Sequence, residues 1–249
     1  MLIIKSSPNH AGVILSGDCR DFDALYNALS EVVGEEGEFR RHDAARLRVL
    51  GICYDLRHAL MGDRELEFVD NGMNMDMMKR LGVISQDKNV YLSISVLWPE
   101  MIFALVALND FCLLRARSLT KARWEMMETR EVAWDFTIAR VRLFQAEIVG
   151  CLKQILTEQT YKRMLKVMFD KYTVLEEYIT QYLDLQNIKF VGMDKEKRLK
   201  SLSTMAKRLV EMGDEYQALQ HDVQEAAKEH NTDVNNIRLK LEFPAEFEW

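Results

Sequence analysis

Proline and glycine are scarce in this chain of 249 residues, which has three prolines and eleven glycines. A fold of many short strands and tight turns needs both residue types, so their scarcity argues against an all-β protein. The apolar share of 48% is too high for a disordered chain, and the charged share of 29% is too high for a membrane bundle. A net charge of −6 also excludes a generic basic nucleic-acid-binding protein.

Cysteine is also sparse, and its spacing fits neither a disulfide framework nor a zinc site. The four cysteines lie far apart in the chain, at Cys19, Cys53, Cys112 and Cys151. Only four residues, all apolar, precede Lys5, fewer than the roughly 7–15 of a signal-peptide core. We therefore expect reduced thiols in a cytoplasmic protein, with no metal and no other cofactor.

One apolar run, residues 90–114, has the length of a membrane span. It contains Glu100 and Asp110, however, and carboxylates inside a membrane are costly. Apolar residues alternate up to Trp98, as in a strand, and then cover all sides from Met101 onward, as in a buried helix. We interpret the run as a strand followed by a core helix, and we expect no membrane contact.

The first 118 residues predict an α+β domain, with helices over a small, mainly antiparallel sheet. The apolar periodicity gives the order strand, strand, helix, helix, strand, helix, strand, helix. Asp18 and Asp43 are the predicted N-caps of the first two helices, and Gly34 is predicted to end the first. Pro99 falls in the first turn of the last helix, where its missing N–H costs nothing.

Residues 119–235 show a heptad pattern instead, which predicts long helices packed side by side. Three apolar seams run through residues 134–155, 161–182 and 202–226, the first of them starting at Trp134. We expect residues 184–194 to form the turn between the last two helices.

The charges in the two later seams suggest how these helices pair. In each of them basic residues come first and acidic residues follow, which opposes the helix dipole. An antiparallel arrangement brings each basic half against an acidic half. That pairing serves equally well inside one helical hairpin or between two chains, and the sequence leaves both open.

The tail, residues 236–249, alternates apolar and charged residues and predicts a final strand. A strand needs a partner edge, so we expect it to dock on the amino-terminal sheet or on a second subunit.

A polar stripe on the second predicted helix is the candidate ligand site. Arg48, Asp55 and His58 fall on one arc of the helix between two apolar faces. In the functional interpretation, His58 is an acid or base, Asp55 orients it, and Arg48 holds an anion. In the structural interpretation, which we favour, the three residues form an ion-pair network that fixes the helix.

Other candidate sites are weaker. Cys19 lies near a helix start but has no matched base, and Asp63, Glu65 and Glu67 alternate as on a solvated strand face. The basic stretch 195–208 has no aromatic residues for stacking on bases, so nucleic acid is an unlikely partner. No phosphate-binding loop, dinucleotide-binding glycine motif, zinc-protease motif or hydrolase nucleophile motif is present.

Four blocks of sequence carry a family resemblance: SGDCRDFDALYNAL, RLRVLGICYDLRHALMGDRELEFVDNGM, KNVYLSISVLWPEMIFALVALNDF and ARVRLFQAEI. They resemble a family of uncharacterised bacterial proteins, mainly from Firmicutes, that is known as a domain of unknown function. The resemblance covers roughly the first 150 residues. It implies a bacterial cytoplasmic protein and transfers neither an activity nor catalytic residues.

Two functions remain open from the sequence. The favoured hypothesis is a non-enzymatic interaction protein that forms a homo-oligomer, such as a dimer, or binds a protein partner through the seams or the tail. The alternative is an enzyme or a small anionic-ligand binder that uses Arg48, Asp55 and His58. A role in phage defence or toxin regulation is a weaker alternative.

Overall fold

The structure, a computed structural model, describes residues 2–122, 124–170, 178–211, 213–244 and 247–249. Its first part follows the predicted order of strands and helices, and the predicted helix-rich α+β class is confirmed. The strands are β1 (Ile3–Ser6), β2 (Gly12–Gly17), β3 (Glu65–Asp70) and β4 (Lys88–Leu97). The helices of this part are α1 (Cys19–Val32), α2 (Asp43–Leu60), α3 (Met75–Leu81) and α4 (Trp98–Leu119).

The later part of the chain is helical. Its helices are α5 (Arg130–Ala133), α6 (Phe136–Ile155), α7 (Glu158–Asp170), α8 (Ile179–Val191), α9 (Lys195–Glu211) and α10 (Asp214–Glu229). One hydrophobic core includes side chains from the sheet, from α1 and α2, and from α6 through α10. The central helix α4 is buried on nearly all sides, as its apolar composition predicts. The division of the chain at residues 118 and 235 stays a prediction.

The four strands form one antiparallel sheet in the order β1-β2-β4-β3. β2 pairs with the second half of β4, from Gly12 opposite Leu97 to Gly17 opposite Leu92. β3 pairs with the first half of β4, ending with Asp70 opposite Lys88. The two pairings overlap at Leu92 and Ser93 alone, so β3 and the start of β4 extend past the end of β2.

Local signals explain most of the helix boundaries. The Asp18 carboxylate accepts hydrogen bonds from the backbone N–H groups of Arg20 and Asp21, and this forms the predicted N-cap of α1. Gly34 follows α1 with φ +71°, which a residue with a side chain adopts at a cost. The prediction for Asp43 was wrong by one position: Asp43 is the first residue of α2, and the preceding His42 makes no side-chain cap.

Two of the predicted helical seams differ in the structure. Residues 184–194 are not a turn, because α8 continues through most of them and ends at Val191. The third seam is not one helix, because α9 ends at Glu211 and Gly213 is the N-cap of α10. The second seam spans both α7 and α8, and its Tyr172 and Leu175 lie outside the described residues.

Trp134 does not belong to the first seam, since it follows α5 and its side chain is 83% exposed. The seam of α6 instead uses residues from Ile138 onward, including the buried Val141 and Ile148.

The predicted terminal strand was wrong for the described residues of the tail. A single turn of 3₁₀ helix at Val234–Asn236 is followed by extended chain without strand pairing. The tail does dock, however, because the Asn9 backbone N–H donates to the Trp249 carbonyl over 2.8 Å. Arg198 of α9 also donates to the Glu248 carbonyl over 2.8 Å. A backbone donor on Asn9 and a side-chain donor on Arg198 therefore hold the tail, in place of the predicted strand pairing.

Among the described residues, none of the helices combines the length and the apolar character needed to cross a membrane.

Candidate functional site

Arg48, in the middle of α2, joins three elements. Its Nη1 donates to Glu100 Oε1 at the start of α4 over 2.9 Å. Its Nη2 donates to Asp184 Oδ1 of α8 over 2.6 Å and to the Thr180 carbonyl over 2.5 Å. The guanidinium charge is thus balanced by two carboxylates, and the pairing fastens α2 to α4 and α8.

Glu100 is the most enclosed acid of this cluster. Besides Arg48, it accepts a 2.6 Å hydrogen bond from Asn187 Nδ2 on the same oxygen, Oε1. Burial raises the pKa of Glu100 above its ordinary value, and Arg48 and Asn187 oppose that shift. Since the carboxylate lies in a poorly hydrated place, it depends on these two donors to stay ionised.

The structure separates the three residues of the predicted stripe. Arg48 pairs with Glu100 and Asp184 and not with Asp55. Asp55 accepts two hydrogen bonds from Arg64, of 2.7 and 3.2 Å.

His58 faces Asp63, with 3.2 Å between Nδ1 and Oδ2, and its ring centroid lies 4.2 Å from that of Tyr54. The hydrogen-bonded triad of the functional interpretation does not form.

An open cleft of about 590 Å³ nevertheless lies beside α2. Arg48 and Asp55 line it, whereas His58 does not. The other charged or aromatic side chains of its lining are Glu100, Asp184, Arg238, Phe247 and Trp249. Because the tail supplies the last three of these, tail docking completes one wall of the cleft.

Sequence reasoning missed Glu100, Asp184 and Asn187 as members of this cluster. Glu100 had a visible signal, since it is an acid in the first turn of an otherwise apolar helix. Asp184 and Asn187 had only their helical spacing of three as a signal, and the prediction of a turn at residues 184–194 concealed it.

The remaining sequence candidates lie apart from the cleft. Cys19 is exposed at the first residue of α1, and Glu67 accepts a 3.0 Å hydrogen bond from Ser16. In the part of the chain that is described, His, Cys, Asp and Glu side chains do not gather in threes at a metal-binding geometry. In the basic stretch 195–208, Arg198 is buried, and Lys200 pairs with Glu196 of its own helix.

A second feature stands out from the fold, and we name it the arm. The arm is residues 65–91, which comprise β3, α3 and the first half of β4. The structure describes every residue of this range and none of them is buried. A two-stranded ribbon with no cover is marginally stable in water, so an arm of this kind gains stability when another surface covers it.

The ribbon of the arm is amphipathic. Leu66 stands opposite Leu92, and Phe68 stands opposite Val90. Paired residues share one face of a sheet, and Leu92 belongs to the buried core. Leu66, Phe68 and Val90 therefore continue the core face of the sheet into solvent, where they are 51, 67 and 46% exposed.

A row of exposed residues on α2 adjoins the arm in sequence. Leu47, Gly51 and Tyr54 of α2 and Met61, its C-cap, recur at the spacing of one helix face, and we call them the α2 stripe. Its three large side chains are 62, 59 and 63% exposed. Among the described residues seventeen large apolar side chains are exposed, and eleven of them lie between Leu47 and Val90. This concentration marks residues 47–90 as the candidate interaction surface.

The sequence profile of a family described as a domain of unknown function, DUF6904, matches residues 2–249. The chain belongs to this family, and the match extends well beyond the 150 residues of the resemblance. No curated protein and no solved structure shows significant similarity to the chain.

Proposed function

We propose that this DUF6904 protein is a non-enzymatic interaction protein whose binding surface is the arm together with the α2 stripe. The observation that carries the proposal is the apolar face of the arm, which continues the core of the sheet and which the described residues leave about half exposed. The partner then supplies the missing layer, because an apolar sheet face is stable when a second layer packs on it.

The use of the other candidate surfaces supports this choice. The heptad seams supply residues such as Ile148, Leu202 and Val223 to the hydrophobic core, so these side chains are buried within their own chain. The tail is likewise held by its own chain, through Asn9 and Arg198. The heptad seams and the tail, which the sequence suggested as interaction surfaces, are thus in contact with the rest of their own chain. The arm and the α2 stripe are exposed.

The test is site-specific photocrosslinking in the native host. A photoreactive phenylalanine analogue at Phe68 is expected to form covalent protein adducts. The matched control carries the same analogue at Phe136, which is almost equally exposed, at 65% against 67%, but lies on α6 outside the arm. Adducts at both positions in equal yield, or at neither, would overturn the proposal.

A second candidate function uses the cleft, because an open space of about 590 Å³ is large enough for a small molecule. Its lining has three carboxylates, from Asp55, Glu100 and Asp184, and two arginines. Arg48 is already neutralised by two of these acids, which disfavours the anion of the original hypothesis. An organic cation that stacks on the aromatic rings of Phe247 and Trp249 suits the lining better.

Thermal denaturation with and without spermidine tests this second candidate. We expect spermidine to raise the melting temperature and inorganic phosphate to leave it unchanged. The shift should be lost in Asp184→Asn and kept in Asp222→Asn, an exposed control on α10. An equal shift in both variants would mean that spermidine binds elsewhere and that the cleft is not its site.

We also place the protein in the cytoplasm, with support from its four free cysteines. Burial raises the pKa of the Cys53 thiol to about 12 and those of Cys112 and Cys151 to about 11. These three thiols stay protonated and unreactive in a neutral, reducing compartment.

A further inference from the structure

We infer that the partner of the arm is a second copy of this chain, in a closed two-fold dimer. In this dimer the arm of each copy covers the α2 stripe of the other. The inference rests on the proposed function, and it adds the identity of the partner and the contact that each surface makes.

The two exposed surfaces complement each other. Among the described residues, the arm offers an exposed apolar sheet face, and the α2 stripe is an exposed helix face. A helix on a sheet face is a standard layer arrangement. Two-fold symmetry uses each surface twice, so one dimer covers both arms and both stripes and leaves none of them open for further growth.

The size of the surface also suits a second copy. Eleven exposed large apolar side chains lie between Leu47 and Val90, and five of them belong to α3 and the turn after it. At about 200 Å² each and roughly half exposed, the eleven present on the order of 1,000 Å², against about 800 Å² per partner in a standard stable interface. A contact that includes α3 with the sheet face of the arm and the α2 stripe is therefore large enough for a stable dimer and larger than a short peptide ligand needs.

Charge also favours contact between the arm and α2. The arm has five acidic residues against three basic ones, and all three charges of β3 are acidic. Residues 40–60 contain five arginines, one of which, Arg48, is already paired with acids of its own chain, and two aspartates. Opposite charges steer the arm of one copy toward α2 of the other. Two β3 strands placed edge to edge would instead bring like charges together, which disfavours pairing of the two arms through β3.

Gly51 supports a close contact at the middle of the α2 stripe. It lies inside a helix, where glycine costs stability relative to alanine, and a Cβ atom built on it meets no described residue within 4 Å. Gly51 and Leu47 also line the cleft, so a side chain of the second copy that packs on Gly51 takes up part of the space that the second candidate function gives to a small molecule.

The first experiment measures the mass in solution by light scattering over a concentration series. We expect a dimer for the wild-type chain and for Phe136→Glu, and at least a tenfold weaker dimer for Phe68→Glu. A wild-type monomer at all concentrations overturns the inference. If photocrosslinks still form at Phe68 with another protein, the proposed function survives that result.

The second experiment tests which surfaces meet. In a Cys19→Ser background, chains with Arg57→Cys beside the stripe are mixed with chains carrying Asp70→Cys at the end of β3. We expect a short bis-maleimide to join the two kinds of chain, and not to join Asp70→Cys with the α6 control Lys153→Cys. A dimer by mass without the first product, or with both products in equal yield, overturns the proposed arrangement.

Discussion

Phe68 and Val90 face each other across β3 and β4, on the sheet face that forms the core, yet both are about half exposed or more. One step along the same face, Leu92 is only 6% exposed. The same apolar face of the sheet is therefore buried at Leu92 and exposed at Val90, although both residues are apolar. The arm has the apolar residues of a buried layer on this face, and the described residues of the chain do not bury them.

Gly51→Ala separates the stability of the monomer from that of the dimer. We expect the free energy of unfolding of the monomer to rise by about 0.5–1 kcal/mol, because alanine is the better helix former and the new Cβ meets no described residue within 4 Å. Dimer affinity should fall, because the same Cβ enters the contact. The measurements are denaturant unfolding of dilute monomer and light scattering.

The matched control is Gly150→Ala on α6, where a Cβ also meets nothing within 4 Å. This variant should gain similar stability and keep its dimer affinity. A loss of affinity in Gly150→Ala as well would remove the contact at Gly51 as the explanation.

Arg48→Ala should lower the free energy of unfolding by roughly 2–4 kcal/mol, because it leaves the enclosed Glu100 carboxylate without its cationic partner. Adding Glu100→Gln to this variant should recover part of the loss. Denaturant unfolding of the two single variants and the double variant gives their coupling energy. Additive effects would show that the pair is not coupled.

Asp110→Asn tests a half-buried acid on α4. Burial raises the pKa of Asp110 from its ordinary 3.8 to about 6, against the opposing charge of Arg117. The folded chain holds this proton more tightly than the unfolded chain, so this group lowers the free energy of unfolding as the pH rises from about 4 to about 6.

Asp110→Asn removes that dependence. Allowing for solvent screening at this half-buried position, the variant should be more stable than wild type by roughly 1–2 kcal/mol at pH 7 and no more stable below pH 4. Urea unfolding at several pH values measures this difference. A difference that stays constant with pH would mean that titration of Asp110 is not its cause.

Arg198→Met should release the tail. The buried Arg198 donates to carbonyls of Asn9, Val191 and Glu248, which belong to three separate segments. Without this donor, we expect the Asn9 amide, which bonds to the Trp249 carbonyl, to exchange hydrogen at least tenfold faster.

Arg198→Lys should restore the protection only in part, since one ammonium group cannot reach three segments as a guanidinium does. Hydrogen exchange followed by mass spectrometry of the segment around Asn9 gives the answer. Unchanged exchange in Arg198→Met would show that other contacts hold the tail.

Much of the fold followed from local patterns. The alternation in residues 90–97 identified β4, the Asp18 cap identified the start of α1, and Pro99 marked the first turn of α4. These features depend on neighbouring residues and on backbone geometry, which the order of residues displays directly. The family resemblance likewise followed from the amino-acid sequence alone.

The predictions of a continuous third helix and of a terminal strand were wrong because each sequence pattern is compatible with two structures. A heptad seam continues across a helix break when both helices pack on the same core, so the break at Gly213 left the pattern of the third seam intact. Alternating apolar and charged residues in the tail are compatible with a paired strand or with an extended chain that side chains hold in place. In the structure, Arg198 donates to the tail backbone, and the tail is an extended chain.

By itself, the sequence determined the α+β class, the order of the first eight elements and the presence of an unusual polar stripe on α2, because periodicity and capping are local properties. Only the tertiary structure decided the partners of that stripe. Arg48 pairs with Glu100 and Asp184, which lie 52 and 136 residues away, and such contacts depend on how the helices cross. The tertiary structure also decided which apolar residues remain exposed. Leu92 and Phe68 are equally apolar in sequence, and only the covering helices distinguish the buried one from the exposed one.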